Sequence, residues 1–234
     1  MTEDVVSMPE RDSRRQQLPE EVATYVRELI ISGRVRPGEF LRLEPIAEAV
    51  GVSNTPVREG LLSLRSEGFV ELVPRRGFVA AAFTEQDVRD LFWVQAQLAG
   101  ELAARAAKRI TPERLDRLDG LLAEHEKAEG TDDTARMTEL GHAFHREINL
   151  AAESRRLALM LGEAVKHLPN RFYASIEGRV EGARRDHPQL VEALHRRDVR
   201  KVRSLMSQHI LAGADQLVED LSRRGLWADQ ESAS

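Results

Sequence analysis

The sequence predicts a mainly α protein in two parts: three helices closed by a β-hairpin, then an antiparallel helical bundle. Three observations predict it. Apolar residues recur at helical spacing over most of the chain. One short stretch, Phe69 to Ala80, instead reads as two strands about a Pro74-Arg75-Arg76-Gly77 turn. Thr, Ser or Asp stands before many of the helical stripes, where an N-cap belongs.

Residues 1–17 are polar, without a sustained apolar period, and are expected to form a flexible arm. From Leu18, Val22, Val26, Leu29 and Ile30 mark a first helix, stopped by Gly33 and Pro37-Gly38. A short second helix fits Pro45 to Val50, closed by Gly51. A third opens at Thr55-Pro56, with Thr55 as N-cap and Pro56 at the first helical position, carries Val57, Leu61, Leu62 and Leu64, and ends at Gly68. With the hairpin these elements describe a winged helix-turn-helix over residues 18–83.

After Phe83 the chain reads as helix almost throughout. Thr84 caps a stripe of Val88, Leu91, Leu98 and Leu102, and Thr111-Pro112, Ser154 and Asp198 are further N-cap signals. The stripes Leu115/Leu118/Leu122, Leu140/Phe144/Ile148, Leu157/Leu161/Val165/Leu168/Phe172, Leu190/Leu194 and Val202/Leu205/His209 each need a partner face. An antiparallel bundle of six or seven helices over residues 84–221, with a tail over 222–234, satisfies them.

The 234 residues include 41% hydrophobic and 31% charged side chains, enough to bury a core. The absence of cysteine removes disulfides, thiolate metal sites and Cys nucleophiles, and fits a reducing compartment. No run approaches the roughly 18 apolar residues of a membrane helix, and the acidic N-terminus lacks a signal-peptide layout, so a cytoplasmic protein is expected. The net charge of -5 does not advertise nucleic-acid binding, and 5% aromatic content argues against a stacking platform for single strands. Any basic surface must be local.

Pro37-Gly38-Glu39, Ile46-Ala47, Val52-Ser53-Asn54-Thr55-Pro56-Val57-Arg58-Glu59, Leu64 and Glu67-Gly68-Phe69-Val70 stand in an order and spacing that resembles the DNA-binding half of the GntR family of bacterial transcription regulators. The helical remainder resembles the ligand-binding domain of the FadR-type subgroup, through Phe144-His145, Asp186-His187-Pro188, Ala193-Leu194, Asp198 and His209.

The resemblance implies that the start of the third helix enters a DNA major groove. Arg58 suits a bidentate contact with guanine; its competing role is a surface ion pair with Glu59 or Glu67. Ser53 and Thr55 offer hydroxyls to phosphates, although capping alone also explains Thr55. Family members commonly carry Arg at the position of Asn54, and Asn prefers adenine or a phosphate. Arg75, Arg76 and Gly77 form a hairpin tip able to approach the backbone or minor groove, against an ordinary solvated turn. Arg42 is a weaker phosphate candidate, and Glu44 stands where relatives often carry a basic residue. Over residues 53–80 four arginines oppose three glutamates, a net of only +1. Affinity must therefore come from placement and from doubling the motif in a dimer.

In many relatives of this subgroup an Asp and three His hold a divalent metal that a carboxylate effector completes. The matching histidines are His145, His187 and His209, a set that suits zinc or nickel. The Asp expected one turn before His145 is Gly141, which offers no ligand, so the site has three protein ligands unless Glu139, His142 or Asn149 reaches inward. An Arg and Glu pair common in the first bundle helix reads Gln95 and Ala99. Asn170 and Arg171 are candidates for meeting an anionic effector.

The resulting expectation is a homodimeric, sequence-specific regulator, in the first instance a repressor. It would bind a palindromic operator and respond to a small carboxylate effector, with no membrane partner. The alternatives are a zinc-dependent hydrolase using the three-His site and a ligand-independent DNA-binding dimer. The hydrolase needs a general acid or base near the metal, and no HExxH, nucleophile elbow or phosphate loop accompanies Glu139 or His142.

Overall fold

A computed structural model describes residues 10–131, 133–168, 180–224 and 226, and the chain divides into two compact units between Phe83 and Thr84. In the first, α1 (Glu10–Ile31) is followed by β1 (Phe40–Leu41), α2 (Leu43–Val50), α3 (Asn54–Ser66), β2 (Val70–Val73) and β3 (Gly77–Ala80). The strands form one antiparallel sheet in the order β1-β3-β2, with Phe40 opposite Val79 and Leu72 opposite Phe78.

Three boundaries differ from expectation. The helix expected from Leu18 begins at Glu10, so residues 10–17 are helical rather than a flexible arm. No Gly or Pro interrupts residues 10–17, so the helix carried by the Val22/Val26/Ile30 stripe extends back through them without a stripe of its own. The second helix starts at Leu43, before Pro45. The N-cap position of the third belongs to Ser53, not Thr55, and its side chain makes no capping hydrogen bond: Ser53 is extended at φ -81 and ψ 171, and Asn54 opens the helix. Pro56 then sits in the first turn, where its missing N–H removes no intrahelical bond.

Val22, Val26 and Ile30 of α1 and Val57, Leu61 and Leu64 of α3 are buried, as the stripes require. The two helices approach closely at Gly60, where an added Cβ would lie 2.6 Å from the Pro19 carbonyl oxygen. Arg27 is also buried in α1; its guanidinium binds Glu67 at the end of α3 at 2.7 Å and lies over the Phe69 ring.

The second unit contains six helices among the described residues: α4 (Glu85–Arg109), α5 (Pro112–Gly130), α6 (Thr134–Ala151), α7 (Arg155–Lys166), α8 (Val180–His195) and α9 (Val199–Arg223). Thr84 and Asp87 form a reciprocal capping box at α4, and Asp198 accepts from the Lys201 amide at α9. Leu102, Leu118, Phe144, Ile148, Leu161, Leu190, Leu194, Val202 and Met206 meet in one core. Phe172, expected on the α7 stripe, lies outside the described residues. Small residues make the closest seam: Ala96, Ala99 and Ala103 of α4 are buried, the Ser207 hydroxyl of α9 donates to the Ala96 carbonyl at 3.1 Å, and a Cβ at Gly100 would collide with that hydroxyl. None of the described helices is long and apolar enough to cross a membrane.

Candidate nucleic-acid interface and candidate metal centre

The tight turn between α2 and α3 is made by Gly51, whose φ of 75 is the left-handed conformation that glycine adopts without steric penalty. It delivers Ser53, Asn54, Thr55 and Arg58 to one exposed helix start that carries no acidic residue in its first turn. Free amides and the positive end of the helix dipole point the same way, which favours an anion. Arg58 has no carboxylate within 4.0 Å among the described residues. The alternative pairing of Arg58 with Glu67 is not made: Glu67 binds Arg27, and Ser63 donates to its other oxygen at 3.1 Å. Nothing in the composition marks Arg27 as that partner; its place on the Val22/Val26/Ile30 face is the available signal.

At the hairpin tip the Arg76 amide donates to the Val73 carbonyl at 3.0 Å, closing a turn with Pro74 second and Arg75 third. Arg75 has a φ of 63 and Gly77 a φ of 111, so the turn demands left-handed backbone at both. Arg75 and Arg76 are exposed. Arg42 is exposed at the N-cap of α2, and Glu44 beside it is exposed too.

In the second unit α6, α8 and α9 bring His145, His187 and His209 together, with one ring nitrogen from each within 4.8 Å of the others. The Nε2 of His209 is 3.3 Å from the Nε2 of His187 and 3.3 Å from that of His145. Nitrogens held about 2.0–2.1 Å from a tetrahedral zinc stand about 3.3–3.4 Å apart, so both spacings from His209 match a metal ligand set, and the His145–His187 pair lies within 4.8 Å. The Nδ1 of His209 donates to the Asp186 carboxylate at 3.2 Å, which leaves the Nε2 lone pair facing the centre. Burial pushes the His145 imidazole down to about 3, with His209 and His142 adding, and holds His187 well below the ordinary histidine range. Neutral imidazoles at physiological pH are what a metal requires. The hydrogen bond from His209, with Arg185 adding, holds Asp186 at about 2. Phe144 stacks on His187 at 4.1 Å between ring centres and fixes its plane.

Gly141 is buried on α6 and provides no ligand. The substitutes considered for it do not join the three-His group: His142 is exposed, Glu139 is exposed and binds Arg136 at 3.1 Å, and Asn149 lines the adjoining cavity. That cavity, of about 1110 Å³, is lined by His145, Asp186 and His209 on one side and by Gln95, Arg146 and Arg155 among others. Gln95 is buried and donates to the Ala164 carbonyl at 3.3 Å. Asn170 and Arg171 lie outside the described residues. Two residues were missed by sequence reasoning. Asp186 binds His209, and its position directly before His187 was the signal. His125 of α5 is buried with its Nε2 unpartnered, edge-on to His187 at 6.3 Å; it had no signal beyond being a histidine in an apolar stretch.

Residues 18–79 match the bacterial regulatory proteins of the gntR family, and residues 90–212 match the FCD domain. A transcriptional repressor of Escherichia coli K12, GlaR, is 30% identical over 196 residues, spanning 78% of this chain and 87% of its own. The chain belongs to the GntR family. Another relative, the HTH-type transcriptional regulator YdhC of Bacillus subtilis, is 28% identical over 194 residues, covering 80% of this chain and 83% of its own. Among solved structures, E. coli McbR/YncC superposes with a TM-score of 0.62 at 21% identity, over 87% of this chain and 98% of that one, and shares the fold. The GntR chain is therefore a DNA-binding transcription regulator carrying an FCD domain, and these relatives give the hydrolase alternative no support.

Proposed function

We propose that this GntR chain is a repressor that binds a palindromic operator as a homodimer and is released by a small carboxylate effector. Residues 18–83 carry the DNA contacts and residues 84–221 the effector site and dimerisation. The repressor sense rests on GlaR, a relative named as a repressor. The observation that carries the sensor reading is the three-His set, whose His145 and His209 open on the large cavity.

At the DNA, Arg58 reads a base edge, Asn54 an adenine or a phosphate, and Ser53 and Thr55 bind phosphates. Arg75 and Arg76 meet the backbone from the hairpin tip that Gly77 shapes. In the sensor, His145, His187 and His209 hold a divalent metal, zinc or nickel, that supplies a positive centre for a carboxylate. Asp186 orients His209, and Arg146 and Arg155 add charge to the same cavity. Effector and operator affinities are linked, so the effector must bind the DNA-competent and DNA-incompetent states unequally. A protein with this partner works where the chromosome is, in the cytoplasm.

The test is operator affinity by fluorescence anisotropy, on a duplex selected by the protein from a random library, with and without a panel of mono- and dicarboxylates. At least one carboxylate is expected to weaken binding in the metal-loaded wild type and to have no effect on His145→Ala. A panel without effect on either protein supports the ligand-independent dimer instead.

A further inference from the structure

Two arginines in the DNA-binding unit lie over phenylalanine rings, and their surroundings are opposite. Arg27 sits over Phe69 at 5.7 Å from the ring centre, is buried, and is neutralised by Glu67. Arg76 sits over Phe40 at 4.8 Å, is exposed, and has no carboxylate within 4.0 Å among the described residues. The first arrangement ties helices together. The second holds an uncompensated cation at the tip of a hairpin.

Both ends of that contact are fixed by backbone. The Gly38 amide donates to the Ala80 carbonyl at 2.8 Å and the Ala80 amide to the Glu39 carbonyl at 2.9 Å, so β1 is clamped to β3 beside Phe40. The Arg76 backbone is held by the hydrogen bond from its N–H to the Val73 carbonyl, across the turn in which Arg75 is left-handed. Phe40 is nevertheless 38% exposed, an unusual placement for a phenylalanine on an edge strand. A guanidinium lying over a ring keeps its N–H edge available to an acceptor, and it loses less side-chain freedom on meeting one.

We propose that Phe40 is a positioning residue for DNA binding: its ring holds the Arg76 guanidinium in the pose in which the wing meets the DNA backbone. The inference rests on the reading of residues 18–83 as the DNA-contacting unit. It adds a residue outside the recognition helix and gives Arg76 a different mode of action from Arg75.

The test uses the full chain and a duplex selected by the wild type from a random library, with affinity measured across a salt series. The variants are Phe40→Leu, Phe40→Trp, Arg76→Ala, Arg76→Lys and the double Phe40→Leu/Arg76→Ala. Phe40→Leu changes no charge, yet it is expected to weaken binding about fivefold and to reduce the salt slope by about one unit per wing. Phe40→Trp keeps wild-type affinity, Arg76→Lys loses nearly as much as Arg76→Ala, and the double variant is no weaker than Arg76→Ala alone. Thermal unfolding in parallel shows whether Phe40→Leu is folded; if it is not, the comparison of Arg76→Lys with Arg76→Ala decides. Wild-type affinity and slope in folded Phe40→Leu, losses that multiply in the double variant, or full function of Arg76→Lys would overturn the proposal. A wild type that selects no duplex while folded overturns the DNA-binding reading itself, and Arg58→Ala marks the difference because it disables base reading without touching the Phe40 ring.

Discussion

Glu67 binds Arg27 at 2.7 Å, nine residues along the chain from Arg58 and on the opposite face of α3. One carboxylate at the end of α3 thus has a structural partner inside the unit, while the exposed cation at the start of the same helix has no carboxylate within 4.0 Å among the described residues. The two arginines should separate cleanly. Arg58→Ala is expected to weaken operator binding by about 1–3 kcal/mol and relax specificity at one position, with thermal stability unchanged. Arg27→Ala should instead destabilise the unit by about 2–3 kcal/mol in urea, because it strands a largely buried carboxylate. Operator affinity unaltered by Arg58→Ala would contradict the docking of α3.

Glycines on two helices predict opposite signs for the same substitution. Gly120 is exposed within α5 with nothing within 4 Å of an added Cβ, so Gly120→Ala should stabilise by about 0.5–1 kcal/mol through helix propensity. At Gly60 the added Cβ meets the Pro19 carbonyl and Val22, so Gly60→Ala should destabilise by about 1–3 kcal/mol as α1 and α3 are forced apart. Urea unfolding of both variants checks the pair.

Arg75 occupies a left-handed position that disfavours any side chain. Arg75→Gly should raise stability by about 0.5–1 kcal/mol, while lowering affinity for all DNA sequences alike and flattening the salt slope by roughly one unit. A salt titration on operator and on random duplex, beside thermal melts, separates the two effects.

Asp186→Asn keeps the shape of the side chain but removes the charge that fixes His209. Zinc affinity, measured by competition with a chromophoric chelator, should fall about 10- to 100-fold with little change in the fold. Affinity equal to wild type would show that His209 needs no such partner.

Much of this organisation was legible in the sequence. Leu61, Leu64, Leu118, Phe144, Ile148, Leu190 and Leu194 fall on stripes and are buried, and Thr84 and Asp198 cap the helices they precede. What was not legible has physical reasons. Strand β1 is two residues long and exists through hydrogen bonds to β3, which no periodicity signals. The start of α1 is polar, so the absence of a stripe hid a helix that needs none. Ser53 and Thr55 are both residue types that favour an N-cap, and which one takes that position depends on the turn from Gly51. The α4–α9 seam is built from alanine and glycine, which carry little hydrophobic signal but permit close approach. The three histidines were found through the family pattern; that their ring nitrogens converge, and that Asp186 supports one of them, required the packing of α6, α8 and α9.

Metal content per chain, by elemental analysis of untagged protein purified without chelator beside a His145→Ala control, tests the sensor reading most directly. Close to one zinc or nickel per wild-type chain, lost in the control, is the expected result. Wild-type protein that stays empty after incubation with either metal would contradict it, and would leave His145, His187 and His209 as core histidines beside a cavity that binds its effector by other contacts.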